Sequence, residues 1–472
     1  MEGQYMSGIA VLDQLRSPHL APSVSHIRQL LYIALYPPPM PVNDKGKEKE
    51  NVKGRWEPVT PSKHVKQAQR SPLIPTEQAS EAAIRLLKSF VLTNSPGVLA
   101  KALPECVGIS EWNERLRQLS EMEAEDSFIA GEATCITEAR NFWEILKEGK
   151  IQRKIPLPFS PAAKGKKKKQ VVAFADEPSF GNGDDDMEAP VVVGDNAWPV
   201  LDWFLLLVEK DEDIMEQCGF PRHSPILLAQ IPPPRTNSGA RWEADALLDV
   251  VFYALEQSDD IKRKAAGARL WTALVNLAAT THMNLELLVA SVHSRLSSLS
   301  RDPALVLSAL PPSERAARFK IALCREYLVS STAPTNGAVG PRPAIRPKPQ
   351  ARAMRAARRS NIEGDRVAPS EESTTVVETP ASPTQLVNAH PLPNAEELLK
   401  LLSEGTDNSQ EQLLKMKVKF YLLSAYASIQ AKSPTEEWTQ IVRDGKVNQA
   451  IDLAFRAEGG VTYATLARAV IQ

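Results

Sequence analysis

The sequence predicts a mostly α-helical protein, built as irregular helical bundles or a divergent helical-repeat array of αα-hairpins and divided by long disordered linkers. Three observations carry this class. Apolar residues between the linkers recur at steps of three and four, the period of a helix with one buried face. Of the 37 prolines, 23 fall in three stretches, 37–75, 153–196 and 332–393, and the last has no Phe, Trp or Tyr. Such stretches bury too little apolar surface to offset the entropy of ordering. The short patches with strand character, 171–174 and 191–193, lie in linker, and a strand without a partner is marginal.

The elements follow in order. Residues 1–36 are expected to be an N-terminal amphipathic helix, with its helical pattern near 22–36, and 37–75 a regulatory linker. Segment 76–152 carries helices near 77–93, 110–122 and 132–148, the last ending at Gly149 after Phe142, Trp143, Ile145 and Leu146. Residues 153–196 form a charged linker or inserted loop.

The main helical domain is expected over 197–331. Its first helix runs from Trp198 to Cys218. In 241–257, Leu247, Leu248, Val251, Phe252 and Leu255 make one stripe, and helices near 260–280 and 285–299 repeat the pattern. Asp302-Pro303 reads as a cap followed by proline at the first helical position, and Ser313 opens a further helix. After the basic Pro-rich linker 332–393, a C-terminal bundle over 394–472 carries helices near 394–404, 409–431, 434–444, 447–457 and 462–471. Ser433-Pro434-Thr435-Glu436 has the form of a capping box.

Charge and composition bound the function. Lys plus Arg (56) and Asp plus Glu (57) nearly cancel, so the whole chain has no net field to draw it onto nucleic acid or anionic lipid. Cys106, Cys135, Cys218 and Cys324 stand singly beside apolar helical stretches, which fits buried thiols in a reducing compartment. The opening residues carry no basic leader followed by an apolar core, and the longest apolar run, from Trp198 to Val208, contains Asp202 and is too short to span a bilayer. Nucleus is the expected location, with cytoplasm as the alternative, and no membrane insertion is expected.

Catalytic patterns are missing. The chain has no phosphate loop, no H-E-x-x-H and no G-x-S-x-G, and its seven histidines show no metal-ligand spacing. Gly181 to Asp186 lacks the alternating oxygen ligands and the closing Glu of a calcium loop. His282 and His293 flank apolar helices as ordinary surface or interhelical residues. No cofactor, metal or small-molecule substrate is expected.

Local charge blocks say more. Lys164, Lys166, Lys167, Lys168 and Lys169 concentrate five cations in six residues and form a candidate nuclear-localisation signal. Arg342, Arg346, Lys348, Arg352, Arg355, Arg358 and Arg359 make an acid-free arm over 341–360, able to contact DNA or RNA phosphates by counterion release. The arm lacks aromatics for base stacking. Residues 447–471 imitate a helix-turn-helix through Gly459-Gly460, but the second helix offers only Arg468 and is built to pack. In the first linker, Lys49-Glu50-Asn51 matches a KEN degron, and Thr60 and Ser71 precede prolines as candidate phosphosites.

The function expected is a non-catalytic scaffold or adaptor in a nuclear chromatin or cell-cycle assembly, binding other proteins through helical surfaces. Trp112, Trp242 and Trp438 are expected to be exposed there as docking aromatics. A nucleic-acid-associated protein using the basic arm, a cytosolic trafficking or assembly scaffold, and an enzyme of unrecognised type are the alternatives.

Overall fold

In a computed structural model the described residues are 4–37, 74–106, 112, 114, 127–151, 191–233, 243–332, 392–404 and 409–471. Their regular structure is helical. The sole β feature among them is an isolated antiparallel bridge between Ser17 and Leu20. The helices are α1 (Tyr5–Gln14), α2 (Val24–Leu35), α3 (Glu77–Thr93), α4 (Pro96–Ala100), α5 (Phe128–Thr137), α6 (Phe142–Leu146), α7 (Trp198–Gln217), α8 (Pro225–Ala229) and α9 (Asp245–Leu255). They continue as α10 (Ile261–Ala278), α11 (Leu285–Ser298), α12 (Ala304–Ser308), α13 (Glu314–Thr332), α14 (Ala395–Ser403), α15 (Ser409–Gln430), α16 (Glu436–Arg443), α17 (Lys446–Ala454) and α18 (Gly460–Ile471).

Local chemistry sets most helix starts. The first N–H groups of a helix lack intrahelical partners, and a short polar side chain just outside can accept from them. Ser23, Thr76, Ser224, Asp260, Asn284 and Asn394 do this for α2, α3, α8, α10, α11 and α14. Asp302 accepts from Ala304 N at 2.9 Å with Pro303 between them, and Ser313 accepts from Ala316 N, as the sequence predicts.

Several expectations need correction. The N-terminal block holds two helices, α1 and α2, because Pro18 and Pro22 interrupt the backbone ladder around the Ser17–Leu20 bridge. The helix expected over 132–148 is broken into α5 and α6: Asn141 takes an extended conformation, accepts from Glu144 N, and leaves Phe142 N to donate to Gln230 Oε1 at 2.8 Å. The capping box moves by two residues. Thr435, not Ser433, caps α16, accepting from Trp438 N while its own N–H donates to Gln430 Oε1. Trp438 is buried against Tyr426, with ring centroids 5.2 Å apart, because it lies on the inward stripe of α16. Trp112 is half-buried under Arg140, and Trp242 lies outside the described residues, as does most of the helix expected over 110–122. Of the four thiols only Cys324 is fully buried. Cys218 is exposed at the end of α7, where the apolar stripe has already stopped.

Long helices stack side by side. Ser80 Oγ donates to the Ile33 carbonyl at 2.7 Å and Asn94 Nδ2 to the Leu20 carbonyl at 3.2 Å, so α2 and α3 are antiparallel. Helix α7 runs parallel to α3: the Trp203 indole donates to the Leu87 carbonyl at 3.1 Å, and Lys210 reaches the carbonyls of Val91 and Asn94 one to two turns on. Helix α10 runs parallel to α7, with Arg263 on Asp195, Arg269 on Glu209 and Asn276 on Glu212. Helix α13 returns antiparallel to α10, since Phe319 meets Trp271 edge-on at 5.0 Å and Arg315 donates to the Arg222 carbonyl beside Glu212.

The C-terminal helices continue the stack. Helix α15 packs on α13, and α18 packs on α15. Arg325 pairs with Glu397 and Lys417 with Asp302, which ties α14 and α15 to the preceding helices. One contiguous apolar core runs from Tyr5 to Ala467. Gly459 adopts φ +81°, and a Cβ on Gly460 would stand 2.2 Å from the Phe455 carbonyl oxygen, so the α17–α18 corner requires both glycines. Tyr463 of α18 stacks on Phe455 and Ala464 and Ala467 are buried, while Leu466 and Val470 stay exposed, so the helix expected to be built to pack does so by one face only.

Candidate functional site

The residues singled out in the sequence lie outside the described residues. This holds for the lysine cluster 164–169, the arm 342–359, the degron 49–51, Thr60 and Ser71. What the fold places is where those segments leave the helical array and return to it. The C-terminus of α2 and the N-terminus of α3 sit together, so Pro37 and Pro75, at the two ends of the gap 38–73, line the same cleft. The ends of the gap 152–190 are joined directly, with Gly194 N donating to the Leu146 carbonyl at 2.9 Å and Glu148 N to the Val191 carbonyl. The gap 333–391 opens after α13, whose C-terminus lies beside the N-terminus of α10, and closes at α14, held by Arg325 and Glu397. Given the directions of α2, α3, α7, α10 and α13, all three departures share one edge of the array.

The cleft on that edge measures about 470 Å³, within the range of pockets that hold small ligands. Its walls are Ala34, Tyr36, Pro37, Pro75, Ile84 and Pro199, contributed by α2, α3 and the start of α7. Glu77, Glu81, Arg85 and Asp195 form the charged rim. Asp195 is neutralised by Arg263 at 2.9 Å, and Arg263 also covers the Trp198 ring at 5.0 Å. Glu77, Glu81 and Arg85 have no ion-pair partner among the described residues, so both signs are available to an occupant. Sequence reasoning missed this cleft because Glu77, Glu81 and Arg85 at steps of four look like an ordinary solvated helix face.

The other concentration of polar groups lies along α7 and is internal. Arg269 donates from Nε and Nη2 to both oxygens of Glu209, at 2.6 and 2.8 Å, and from Nη1 to Asp202. Those bonds push the guanidinium pKa up. Burial would raise the Asp202 pKa, but hydrogen bonds from Lys88 and Arg269 outweigh it and hold the carboxyl below its usual range. Glu212 is buried, and burial raises its pKa against the opposing bonds from Asn276 and Arg222. The rings of His223 and His282 stand 5.4 Å apart nearby. Lys88, Asp202, Glu209, Glu212, Arg222, Arg269 and Asn276 cross-link α3, α7, α10 and the turn before α8, so the network acts as a polar clamp between helices.

A second cavity, about 900 Å³, lies beside α6, where Arg140 covers the Trp112 ring at 5.0 Å. Among the described residues no group of three or more His, Cys, Asp or Glu could hold a metal, and no helix is long and apolar enough to cross a membrane. Set against known protein families, curated proteins and solved structures, the chain finds no match.

Proposed function

We propose that the chain is a non-catalytic helical scaffold or adaptor in a nuclear protein assembly of the chromatin or cell-cycle kind. One observation carries the reading: in a helical stack with a continuous core, the described ends that flank residues 38–73, 152–190 and 333–391 lie at one edge, and the sequence of those three segments holds the lysine cluster, the basic arm, the degron and the phosphosites. A helical stack whose connecting segments carry several short recognition motifs is the arrangement an adaptor uses, because linked motifs gain effective concentration on a multi-part partner. Exposed apolar residues elsewhere, Leu453, Val461, Leu466 and Val470 on α17 and α18, supply a further protein-contact surface. The test is affinity purification with cross-linking mass spectrometry, together with imaging of the tagged chain. Stoichiometric nuclear partners that cross-link to the helical stack are expected. Recovery of the chain alone, or nuclear retention unchanged when Lys166 to Lys169 are replaced by Ala, would overturn the nuclear scaffold.

The acid-free run of seven cations supports a second reading, association with DNA or RNA through 341–360. A peptide covering 332–393 is then expected to bind duplex DNA at low salt and to lose it steeply as salt rises. Failure to retain DNA at low salt removes this reading.

A further inference from the structure

We propose that the cleft between α2, α3 and the start of α7 is a binding site for a tryptophan-centred peptide flanked by one cation and one anion, and that its occupant is Arg55-Trp56-Glu57-Pro58 of this same chain. The proposal goes beyond the scaffold reading and stands without it.

Three observations converge. The walls are apolar and proline-rich, with Tyr36, Pro37, Pro75, Ile84 and Pro199 surrounding about 470 Å³, a site whose chemistry suits a large flat apolar side chain and an adjoining proline. The rim offers both signs without internal pairing, Glu77, Glu81 and Arg85 in a row along α3, which matches a segment carrying Arg55 and Glu57 on either side of Trp56. An acid-free segment such as 342–359 would leave Arg85 facing only cations. Finally, Pro37 and Pro75 bracket the 38–73 segment and both line the cleft, and Trp56, its only Phe, Trp or Tyr, lies near its middle. About 18 residues on each side span far more than the cleft requires. A tether of that length holds its centre near the cleft at an effective concentration of about a millimolar, so modest intrinsic affinity suffices.

Seating Trp56 has a regulatory consequence. The degron candidate Lys49-Glu50-Asn51 lies a few residues before the anchor and Thr60 a few residues after it. Docking therefore holds both within a few residues of the helical face, where the bulk of the stack hinders a ligase groove or kinase cleft from enclosing them.

The test uses the full-length chain and a fluorescent peptide covering 52–62. The Trp56→Ala chain, with its cleft vacated, is expected to bind the peptide at least about ten-fold more tightly than the wild type, whose tethered copy competes. Adding Glu77→Arg and Glu81→Arg to Trp56→Ala should weaken binding by about ten-fold with unchanged helical circular dichroism. Equal binding to wild type and Trp56→Ala, no binding to Trp56→Ala, or indifference to the rim reversal would each overturn the proposal. Sedimentation distinguishes a second copy as the donor: a wild-type dimer that becomes monomeric on Trp56→Ala replacement would overturn docking within one chain.

Discussion

Gly267 of α10 rests on Ala254 of α9 so closely that a Cβ on Gly267 would stand 2.8 Å from the Ala254 Cβ and 3.2 Å from the Leu255 nitrogen. Helix propensity alone favours Ala over Gly inside a helix by about 1 kcal/mol. The clash reverses that sign, because the opposing atoms include backbone of α9, which cannot move without opening the hairpin. Gly267→Ala is expected to lower stability by about 1–3 kcal/mol, the cost of overpacking a tight contact. Urea unfolding followed by circular dichroism reads it, and a midpoint at or above wild type would show that the two helices can separate cheaply.

The α3–α7 contact depends on Trp203, which is fully buried and donates its indole N–H to the Leu87 carbonyl. Trp203→Phe removes that bond and leaves a void. The expected loss is about 1–3 kcal/mol, against about 3–5 kcal/mol for Trp203→Ala. A thermal-melt series that failed to order the two variants this way would contradict the packing described.

Arg269 is the clamp between α7 and α10. Its partners are about one-third exposed, so Arg269→Met is expected to cost only about 1–2 kcal/mol, and the cost should shrink as salt rises. Arg269→Lys keeps the charge and loses the two-pronged geometry, so it should recover less than half of the loss. Stability of the three proteins at low and high salt separates charge from geometry.

Lys419 gives a pH signature. Burial pushes its pKa from 10.5 down to about 8, although its ammonium donates to the carbonyls of Leu402 and Glu404 at the end of α14. Between pH 8 and 10.5 the unfolded chain binds the proton more strongly than the folded one, so this group's contribution to stability rises with pH across that window. The contribution is present above 10.5 and is lost as pH falls through 8. The stability difference between wild type and Lys419→Met should therefore shift in favour of wild type from pH 8 to 10. A pH-independent difference would show that Lys419 is not desolvated.

Helix identity was legible from local sequence. The boundaries of α3, the proline start of α12 and the caps of α2, α3 and α10 involve only neighbours in the chain, where period and capping chemistry act. The misreadings have different causes, one a distant partner and the other a near one that competes for the same cap. Asn141 breaks a continuous apolar stripe because Gln230, far along the chain, accepts from Phe142 N, and Thr435 takes the cap from Ser433 because Gln430 accepts from its N–H.

Local sequence therefore decided that this chain is helical, where its helices run, and which stretches between them are rich in proline and charge. Only the packing decided that α3, α7 and α10 lie parallel, that three long segments leave by one edge, and that Glu77, Glu81 and Arg85 rim a cleft walled by residues from Ala34 to Pro199. Periodicity reports which face of a helix is apolar but not which other helix covers it. That choice belongs to interhelical contacts such as Trp203 on Leu87 and Gly267 on Ala254, which join residues remote in sequence.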